Sequence, residues 1–366
     1  YISTLLIVIK IQLNLGEKMY KYVKIILAST LILLLSSQIW ALEKVKVQLV
    51  WVKQGEFHGI LSAVDQGFYA EEGLDVEVFA GGPDIRAQAV IASGAAEFGT
   101  LSVGAVIAAR SNEVPLVQVM QAHQDSFMAY VGKKSRGYNT IQDIKGATFG
   151  VWFGGGEYEP QLMANLSGVG KDNVKWVAQK FSMIEFYEDK LDVASVTLHN
   201  ELHVLLGAGY TRDEITVYKA SDYGAAMISD GIATTERMIK ENPEIVQKFV
   251  NATLRGWQWG IYNAEKAAQI VLKFNPGLEY QKQLYQVEET SKLVASRKAL
   301  TEGLGYMDIA DWKVSQKGLL EIKAIDAPID LEKAFNLKFW KNAPMKYKKL
   351  KNMDQVRKRM AKNLGE

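Results

Sequence analysis

The sequence predicts an α/β protein of two lobes, with parallel-rich sheets, helices on both sheet faces and a hinge of two chain segments. Three observations support this architecture. Short apolar strands alternate with helical stretches along most of the chain, which favours parallel sheets. A similar strand–helix pattern restarts near residue 125 and ends near residue 224. The 366 residues are also enough for two lobes of ordinary domain size.

The first lobe is predicted to begin with a strand at residues 45–51, where apolar and polar side chains alternate. Residues 59–66 and 85–93 have the pattern of helices, and a strand at residues 76–79 lies between them. A further strand is expected at residues 114–120. Repetition of this strand–helix unit predicts one sheet with neighbouring, mostly parallel strands.

The second pattern predicts strands at residues 126–131, 148–151, 174–177, 193–196 and 217–219. Amphipathic helices are expected after it, at residues 243–262, 264–274, 278–291 and 307–319. We therefore predict a discontinuous first lobe of residues 42–124 and 225–340, and an inserted second lobe of residues 125–224. The two crossings between the lobes would form the hinge, which suits closure around a ligand.

The start of the chain has the pattern of a secretory leader. Residue 1 is Tyr, so we expect translation to start at Met19 and residues 1–18 to be upstream sequence. Residues 19–41 combine a basic start, a short apolar core and a small residue at Ala41, in the order of a signal peptide. We predict cleavage near Ala41 and export to the periplasm. An uncleaved membrane anchor is the alternative, although the apolar core is short for a membrane span.

Composition excludes several classes of function. The sequence has no cysteine, which rules out disulfides, thiolate nucleophiles and cysteine-based metal sites. The net charge of +2 gives no indication of nucleic-acid binding. His199 and His203 stand four residues apart without an evident third metal ligand. We therefore predict no metal ion and no cofactor.

The C-terminal residues 341–366 are rich in lysine and arginine, with basic runs at residues 346–351 and 357–359. This pattern is typical of a solvated terminal helix or a frayed end. Contact with a membrane surface or a partner is the alternative.

Candidate ligand-binding residues gather in loops after strands, because ligands of open α/β sheets bind beyond the carboxyl ends of the strands. Trp51 ends the first strand, where its ring could stack on a ligand or pack in the core. Phe57 and His58 lie in the next loop, and His58 could donate a hydrogen bond to a ligand or to backbone or water. Gly82 and Asp84 precede a helix, which favours either a polar or anionic ligand group or a simple turn capped by Asp84.

A glycine-rich loop at residues 154–156 lets the backbone come close to a ligand or an anion. It lacks the Lys-Ser/Thr ending of a nucleotide-binding P-loop, so ATP binding is not expected. Hydroxyl groups before another helix could bind the ligand or cap that helix. The further candidates from these loops and from the second crossing are Thr100, Ser102, Trp152, Gly155, Gly156, Glu157, Tyr158 and Tyr223.

Several segments, in order and spacing, resemble the NMT1/THI5-like family of substrate-binding proteins. They include residues 49–104, the second-lobe opening at 143–151, the pair Asn200-Glu201 and residues 249–257. The resemblance covers nearly all of the chain after the leader. It implies a type II periplasmic-binding-protein fold and delivery of a small molecule to the permease of an ABC transporter. The best-known ligands of the family are pyrimidine precursors of thiamine.

The resemblance also implies roles for particular residues. The Asn-Glu pair of the family faces the cleft, so we expect Asn200 and Glu201 there. The Glu201 carboxylate would accept a hydrogen bond from an exocyclic amine, with a surface ion pair as the alternative. Related pyrimidine synthases consume a lysine-bound pyridoxal phosphate and a histidine. The matching positions here fall near Leu101 and Ala105, which cannot perform that chemistry.

The expected protein is therefore a monomeric, non-enzymatic binder of a small heteroaromatic, first of all an aminopyrimidine thiamine precursor. An alkylsulfonate, taurine, nitrate or riboflavin binder is the main alternative, and a ligand-sensing partner of a membrane kinase is another. A synthase-like enzyme is disfavoured by the missing residues. An anion binder would use glycine-loop N–H groups and hydroxyls, whereas an aminopyrimidine binder would use tryptophan and glutamate.

Overall fold

The computed structural model describes residues 42–365, together with Gly16 and Met19. The expected upstream segment and signal peptide, residues 1–18 and 19–41, otherwise lie outside the described residues. The chain divides into a unit of residues 1–42 and a unit of residues 43–366, and the second unit contains both sheets. No helix in the described part of the chain combines the length and apolar content that a membrane span requires.

Ten strands form two five-stranded sheets within the described residues. The strands are β1 Glu43–Gln48, β2 Leu74–Phe79, β3 Phe98–Ser102, β4 Leu116–Gln121, β5 Met128–Lys133, β6 Thr148–Val151, β7 Lys175–Ala178, β8 Val193–Thr197, β9 Ile215–Lys219 and β10 Asp230–Thr235. The first sheet has the order β2-β1-β3-β10-β4, and the second has the order β7-β6-β8-β5-β9. We call the part built on the first sheet the first lobe, and the part built on the second sheet the second lobe.

The two sheets share one pattern of strand directions. Three neighbouring strands are parallel in each, β2-β1-β3 in the first and β7-β6-β8 in the second. β10 is antiparallel to both of its neighbours, β3 and β4, and β5 is antiparallel to β8 and β9. The first strand after each crossing between the sheets, β5 or β10, is therefore antiparallel to the three parallel strands of its sheet.

Helices cover the sheets and build the C-terminal part of the chain. They are α1 His58–Asp65, α2 Phe68–Glu71, α3 Ala87–Ala92, α4 Val103–Ser111, α5 Tyr158–Leu166, α6 Ile184–Tyr187, α7 Glu201–Gly207, α8 Glu236–Glu241, α9 Pro243–Tyr262, α10 Ala264–Phe274, α11 Tyr280–Val294, α12 Arg297–Thr301, α13 Ile309–Glu321, α14 Leu331–Ala334, α15 Lys338–Asn342, α16 Met345–Lys348 and α17 Met353–Leu364.

The chain crosses between the lobes twice. It leaves the first sheet after Gln121 and enters the second at Met128, then leaves the second after Lys219 and re-enters the first at Asp230. The boundaries expected at residues 124/125 and 224/225 fall inside these two crossings. Where each lobe ends within its crossing remains a prediction.

The core follows from the burial of apolar side chains on the inner faces of the elements. In the first lobe, Phe98 of β3 stacks on Phe249 of α9 with ring centroids 3.9 Å apart. A second cluster of buried side chains joins the lobes, with Val106 of α4, Phe149 of β6 and Trp312 of α13 among its members. The lobes are therefore packed against each other beside the crossings.

The basic C-terminal segment ends in α17, an amphipathic helix and not a frayed end. Val356 and Met360, four residues apart, are both buried and form an apolar stripe. The Arg359 guanidinium lies 2.8 Å from the buried Glu288 carboxylate of α11. Arg357 and Lys358 point to solvent. The stripe and the ion pair explain why this segment packs against the first lobe.

Candidate functional site

A cavity of about 150 Å³ lies between the lobes. Its wall is formed by residues at or just after the carboxyl ends of β1, β2, β3, β6 and β8, by the start of β10 and by both crossings. The parallel strands of both sheets thus present their carboxyl ends to one space, which is the usual place for a ligand in this type of sheet.

Eight of the fifteen predicted site residues line this cavity: Trp51, Gly82, Ser102, Trp152, Gly155, Gly156, Tyr158 and Glu201. The other seven are placed elsewhere: Phe57, His58, Asp84, Thr100, Glu157, Asn200 and Tyr223. Their binding roles remain predictions, but the structure gives each of the seven a different set of contacts.

Phe57 and His58 are in the core of the first lobe. The Phe57 side chain is 1% exposed. His58 begins α1, with its Nε2 atom 3.2 Å from the Ser291 hydroxyl and its ring edge-on to Trp257. Burial lowers the pKa of His58 to about 3, so its imidazole is neutral at physiological pH. The short 3₁₀ turn at Gly55–Phe57 sends Phe57 into the core and Glu56 into the cavity.

Three further candidates stand outside the wall. Asp84 is exposed to solvent. The buried Thr100 hydroxyl oxygen accepts a hydrogen bond of 2.8 Å from the Val50 N–H and so fixes the loop after β1. Tyr223 is half-buried in the second crossing. Thr100 thus supports the backbone beside the cavity, whereas Tyr223 packs against the buried cluster that joins the lobes.

Two N–H groups of the glycine-rich loop at residues 154–156 are bonded to a side chain of the same segment. The Glu157 carboxylate accepts hydrogen bonds from the N–H groups of Gly154 (2.9 Å) and Gly155 (2.8 Å). Both glycines have positive φ values, 109° and 140°, which other residues rarely adopt. Two N–H groups that were expected to face a ligand or an anion are therefore already bound to a carboxylate.

Glu201 begins α7 and lines the cavity, but its carboxylate is held by nearby groups. One oxygen accepts hydrogen bonds from the Thr197 N–H (3.0 Å) and the Thr197 hydroxyl (2.7 Å). The other accepts from the Asn200 amide at 2.7 Å. The Asn200 oxygen in turn accepts a 2.8 Å hydrogen bond from Gln286 of α11 in the first lobe. The Asn-Glu pair thus connects the lobes.

Three buried acids on the wall were missed by sequence reasoning: Glu56, Glu159 and Asp230. The sequence placed Glu56 in the loop after the first strand, which was already expected to face a ligand, and this position could have identified it. The neighbouring Phe57 and His58 were predicted as site residues instead. Glu159 lies just after the selected Tyr158, and Asp230 lies in a strand that the sequence did not indicate.

Glu56 lies opposite a histidine of the second lobe. Its carboxylate accepts a 3.0 Å hydrogen bond from the Gln54 amide, and the His199 Nε2 atom is 3.5 Å away. Burial alone would raise the pKa of Glu56. The interactions with His199, His123 and Gln54 outweigh burial and hold that pKa below its ordinary value. Glu56 is therefore an ionised acceptor on the cavity wall.

Glu159, near the start of α5, contacts both crossings. Its carboxylate accepts hydrogen bonds from the Met227 N–H (2.6 Å) and from the Ser126 hydroxyl (2.8 Å). Burial raises the pKa of Glu159 to about 8, against the opposing effect of these two bonds. One side chain of the second lobe therefore fixes both hinge segments.

Asp230 is the first residue of β10 and is 5% exposed. Its Oδ2 atom has no hydrogen-bond partner. Burial, and then the negative charge of Glu56, raise the pKa of Asp230 well above its ordinary value. This carboxyl group therefore favours the protonated form.

Aromatic rings from both lobes meet at the cavity. Trp51 of the first lobe stacks on Phe181 of the second, with centroids 5.6 Å apart and an interplanar angle of 16°. Its centroid is also 5.2 Å from that of Trp152. Phe127 of the first crossing meets the His199 ring edge-on. Aromatic rings and carboxyl groups thus occur together on the wall.

Four polar side chains of the wall are carboxylic acids: Glu56, Glu159, Glu201 and Asp230. Among the described lining residues, Arg86 is the single lysine or arginine, and it is exposed. Within the described residues, no group of three or more histidine, aspartate and glutamate side chains is arranged for a metal ion. His199 faces Glu56, whereas His203 stacks on Tyr285 at 3.9 Å. The chemistry suits a flat ligand with N–H donors.

Comparison with known proteins yields three curated relatives. Riboflavin-binding protein RibY of Chloroflexus aurantiacus is 29% identical and spans 81% of this chain and 86% of its own length. A formylaminopyrimidine-binding protein of Halalkalibacterium halodurans is 26% identical and spans 81% and 90%. A 4-amino-5-hydroxymethyl-2-methylpyrimidine phosphate synthase of Legionella pneumophila is 23% identical and spans 82% and 93%. Two of these relatives are named binding proteins and one is named a synthase.

Solved structures show the same fold. The periplasmic aliphatic sulphonate-binding protein SsuA of Escherichia coli superposes with a TM-score of 0.62 at 12% identity, over 80% of this chain and 91% of its own. The predicted two-lobed, type II periplasmic-binding-protein fold is thereby confirmed. The model of the family described as NMT1/THI5 like matches residues 54–267, more than half of the chain. The chain therefore belongs to the NMT1/THI5-like family.

Proposed function

We propose that this protein captures a small aminopyrimidine, of the kind that serves as a thiamine precursor, and delivers it to an ABC importer. The observation that carries the proposal is a cavity of about 150 Å³ lined by aromatic rings and by Glu56, Glu159, Glu201 and Asp230. An engineered apolar cavity of roughly this volume binds benzene. The space therefore suits one six-membered ring.

The lining matches the groups of such a ligand. Trp51 and Trp152 line the cavity, where their rings would stack on a flat heteroaromatic ring. An exocyclic amine donates hydrogen bonds, and an ionised carboxylate such as that of Glu56 is a strong acceptor. Capture would close the lobes on the ring, with the two crossings acting as the hinge.

An anionic ligand fits this wall poorly. Glu157 already takes two N–H groups of the glycine loop, and the negative charge of Glu56 would repel a sulfonate or nitrate. This argues against an alkylsulfonate, taurine or nitrate as the ligand, although SsuA shares the fold.

Riboflavin is the second candidate, because RibY is 29% identical over most of both chains. Its three fused rings are larger than the single ring that the cavity suits. A flavin would therefore need a wider cleft, with the stacked pair of Trp51 and Phe181 moved apart.

The proposed role in transport also concerns the compartment, the oligomeric state and the absence of catalysis. The leader pattern at residues 19–41 supports export to the periplasm, where a monomer would meet the permease. Binding without catalysis is supported by the two relatives named binding proteins and by Leu101 and Ala105 at the positions that the synthases use.

Calorimetry and thermal shift on the purified protein test the proposed function. The probes are 4-amino-2-methylpyrimidine, riboflavin, taurine and nitrate. We expect the aminopyrimidine to bind and to raise the melting temperature, because a ligand that binds only the folded state stabilises it. Binding of riboflavin alone would assign a flavin instead. Binding of taurine or nitrate alone would reject any heteroaromatic ligand.

A further inference from the structure

Asp230 on the first-lobe wall of the cavity holds an unused hydrogen-bonding atom. Its carboxyl group is 5% exposed, and the Oδ2 atom has no partner. Buried polar atoms are nearly always hydrogen-bonded, and leaving one unpaired destabilises the folded protein. Asp230 itself lines the cavity, so a molecule bound there can hydrogen-bond to this carboxyl group, whose Oδ2 atom is covered by protein.

Glu56 lines the same cavity and interacts electrostatically with Asp230. Two carboxyl groups that share a site with little water cannot both ionise without a large cost. His199, 3.5 Å from Glu56, favours the negative charge on Glu56. Burial and the charge of Glu56 raise the pKa of Asp230, so the proton stays on Asp230.

We propose that Glu56 and Asp230 act as a recognition pair for a ligand edge that carries an N–H donor beside a ring-nitrogen acceptor. Glu56 accepts from the exocyclic amine, and the Asp230 O–H donates to the neighbouring ring nitrogen. This inference rests on the proposed function, because a 4-aminopyrimidine carries that edge. It adds a physical basis for selecting this ligand edge, and it assigns that selectivity to Glu56 and Asp230 of the first lobe.

The pair selects against the oxo form of the same ring. A pyrimidin-4-one replaces the amine by a carbonyl oxygen and protonates the ring nitrogen, so it presents an acceptor to Glu56 and a donor to Asp230. Both hydrogen bonds are then mismatched. Sites built around a polar pattern reject ligands that leave their groups unpaired, and they do so more strongly than apolar pockets reject a change of size.

Calorimetry with two probes, 4-amino-2-methylpyrimidine and 2-methylpyrimidin-4-one, tests the pair. We expect the unmodified protein to prefer the amino probe by at least roughly tenfold, and Asp230→Val to weaken its binding by roughly tenfold. Asp230→Asn retains an N–H donor and should recover part of that loss. Asp75→Val and Asp75→Asn are matched controls, because Asp75 is exposed on β2. Melting temperatures establish that each variant is folded.

The outcomes separate this inference from the proposed function. If the unmodified protein binds the amino probe and Asp230→Val binds it equally well, the pair is rejected and the proposed function stands. If Asp230→Asn binds it more weakly than Asp230→Val, Asp230 acts as a carboxylate and not as a donor, which also rejects the pair. If the unmodified protein binds neither probe, the proposed function fails and the pair fails with it.

Discussion

The two walls of the cavity carry acids with opposite surroundings. On the second lobe, the Glu201 carboxylate accepts three hydrogen bonds from the protein and the Glu159 carboxylate accepts two. On the first lobe, Glu56 accepts one from Gln54, and the Asp230 Oδ2 atom has none. Acids that are already bonded to the protein hold the architecture, whereas acids with free oxygens are available to a ligand.

This difference shows that lining a cavity and binding its contents are separate properties. Glu201 was the sharpest candidate from the sequence, and it does line the cavity. Its lone pairs are largely used to fix the start of α7 and to orient Asn200 toward Gln286. The comparison therefore predicts that second-lobe acids affect mainly stability and that first-lobe acids affect mainly affinity.

The largest of the predicted effects is the contribution of Glu159 to the pH dependence of protein stability. Its pKa in the folded protein is about 8, above its ordinary value of 4.5. The folded state keeps a proton that the unfolded state releases, so stability falls as the pH rises from about 4.5 to about 8. Each unit of pKa corresponds to about 1.4 kcal/mol. We expect the melting temperature to fall across this window, and to fall less in Glu159→Gln.

Thermal melts at pH 5, 6, 7 and 8 measure that slope. Glu77→Gln, at an exposed position of β2, is the control for loss of one carboxylate. Asp230 contributes in the same direction, because its pKa is also raised, so part of the slope should remain in Glu159→Gln. An unchanged slope in Glu159→Gln would show that this carboxyl group titrates normally.

A loss of affinity is expected from Glu56→Gln. The substitution keeps the shape but removes the negative charge that faces an amine. Hydrogen bonds to charged groups contribute about 1.5–3 kcal/mol, so binding of 4-amino-2-methylpyrimidine should weaken by roughly tenfold to a hundredfold. Calorimetry beside the Glu77→Gln control measures this. Equal affinity in Glu56→Gln and the unmodified protein would remove Glu56 from the ligand site.

The smallest effect on affinity is expected from Glu201→Gln. The new amide group would face the Asn200 amide, so the hydrogen bond between them is lost at a cost of about 1 kcal/mol in stability. Because both oxygens of Glu201 are already bonded to the protein, affinity for the same probe should change by less than roughly threefold. Melting and calorimetry on one preparation check both values. A larger loss of affinity than in Glu56→Gln would reverse the comparison between the walls.

Much of the fold could be predicted because the sequence patterns that indicate helices and strands are local. The helix expected at residues 243–262 coincides with α9, where the apolar stripe and the proline at the first helical position are both visible. The strand at Asp230–Thr235 was not predicted. All six of its residues are buried, so it has no alternation of apolar and polar side chains, and two threonines and an aspartate interrupt any apolar run.

The site was harder to predict, because direction within a loop depends on tertiary packing. Glu56 and Phe57 are adjacent in one turn, yet Glu56 reaches the cavity and Phe57 fills the core. Aromatic residues after strands were a useful guide, since Trp51, Trp152 and Tyr158 all line the wall. Asp230 could not be found without the strand that carries it.

The position of β10 has a consequence for the order in which the protein folds. This strand lies between β3 and β4, but it is synthesised only after the whole second sheet. The second sheet comes from one continuous stretch of residues 128–219, so it can assemble as soon as that stretch is made. The first sheet lacks a central strand until residues 230–235 arrive. Its closure needs contacts between residues more than a hundred positions apart, which is the slow kind of pairing. The strand that completes the sheet also brings Asp230 to the wall, so the formation of this part of the cavity depends on long-range strand pairing.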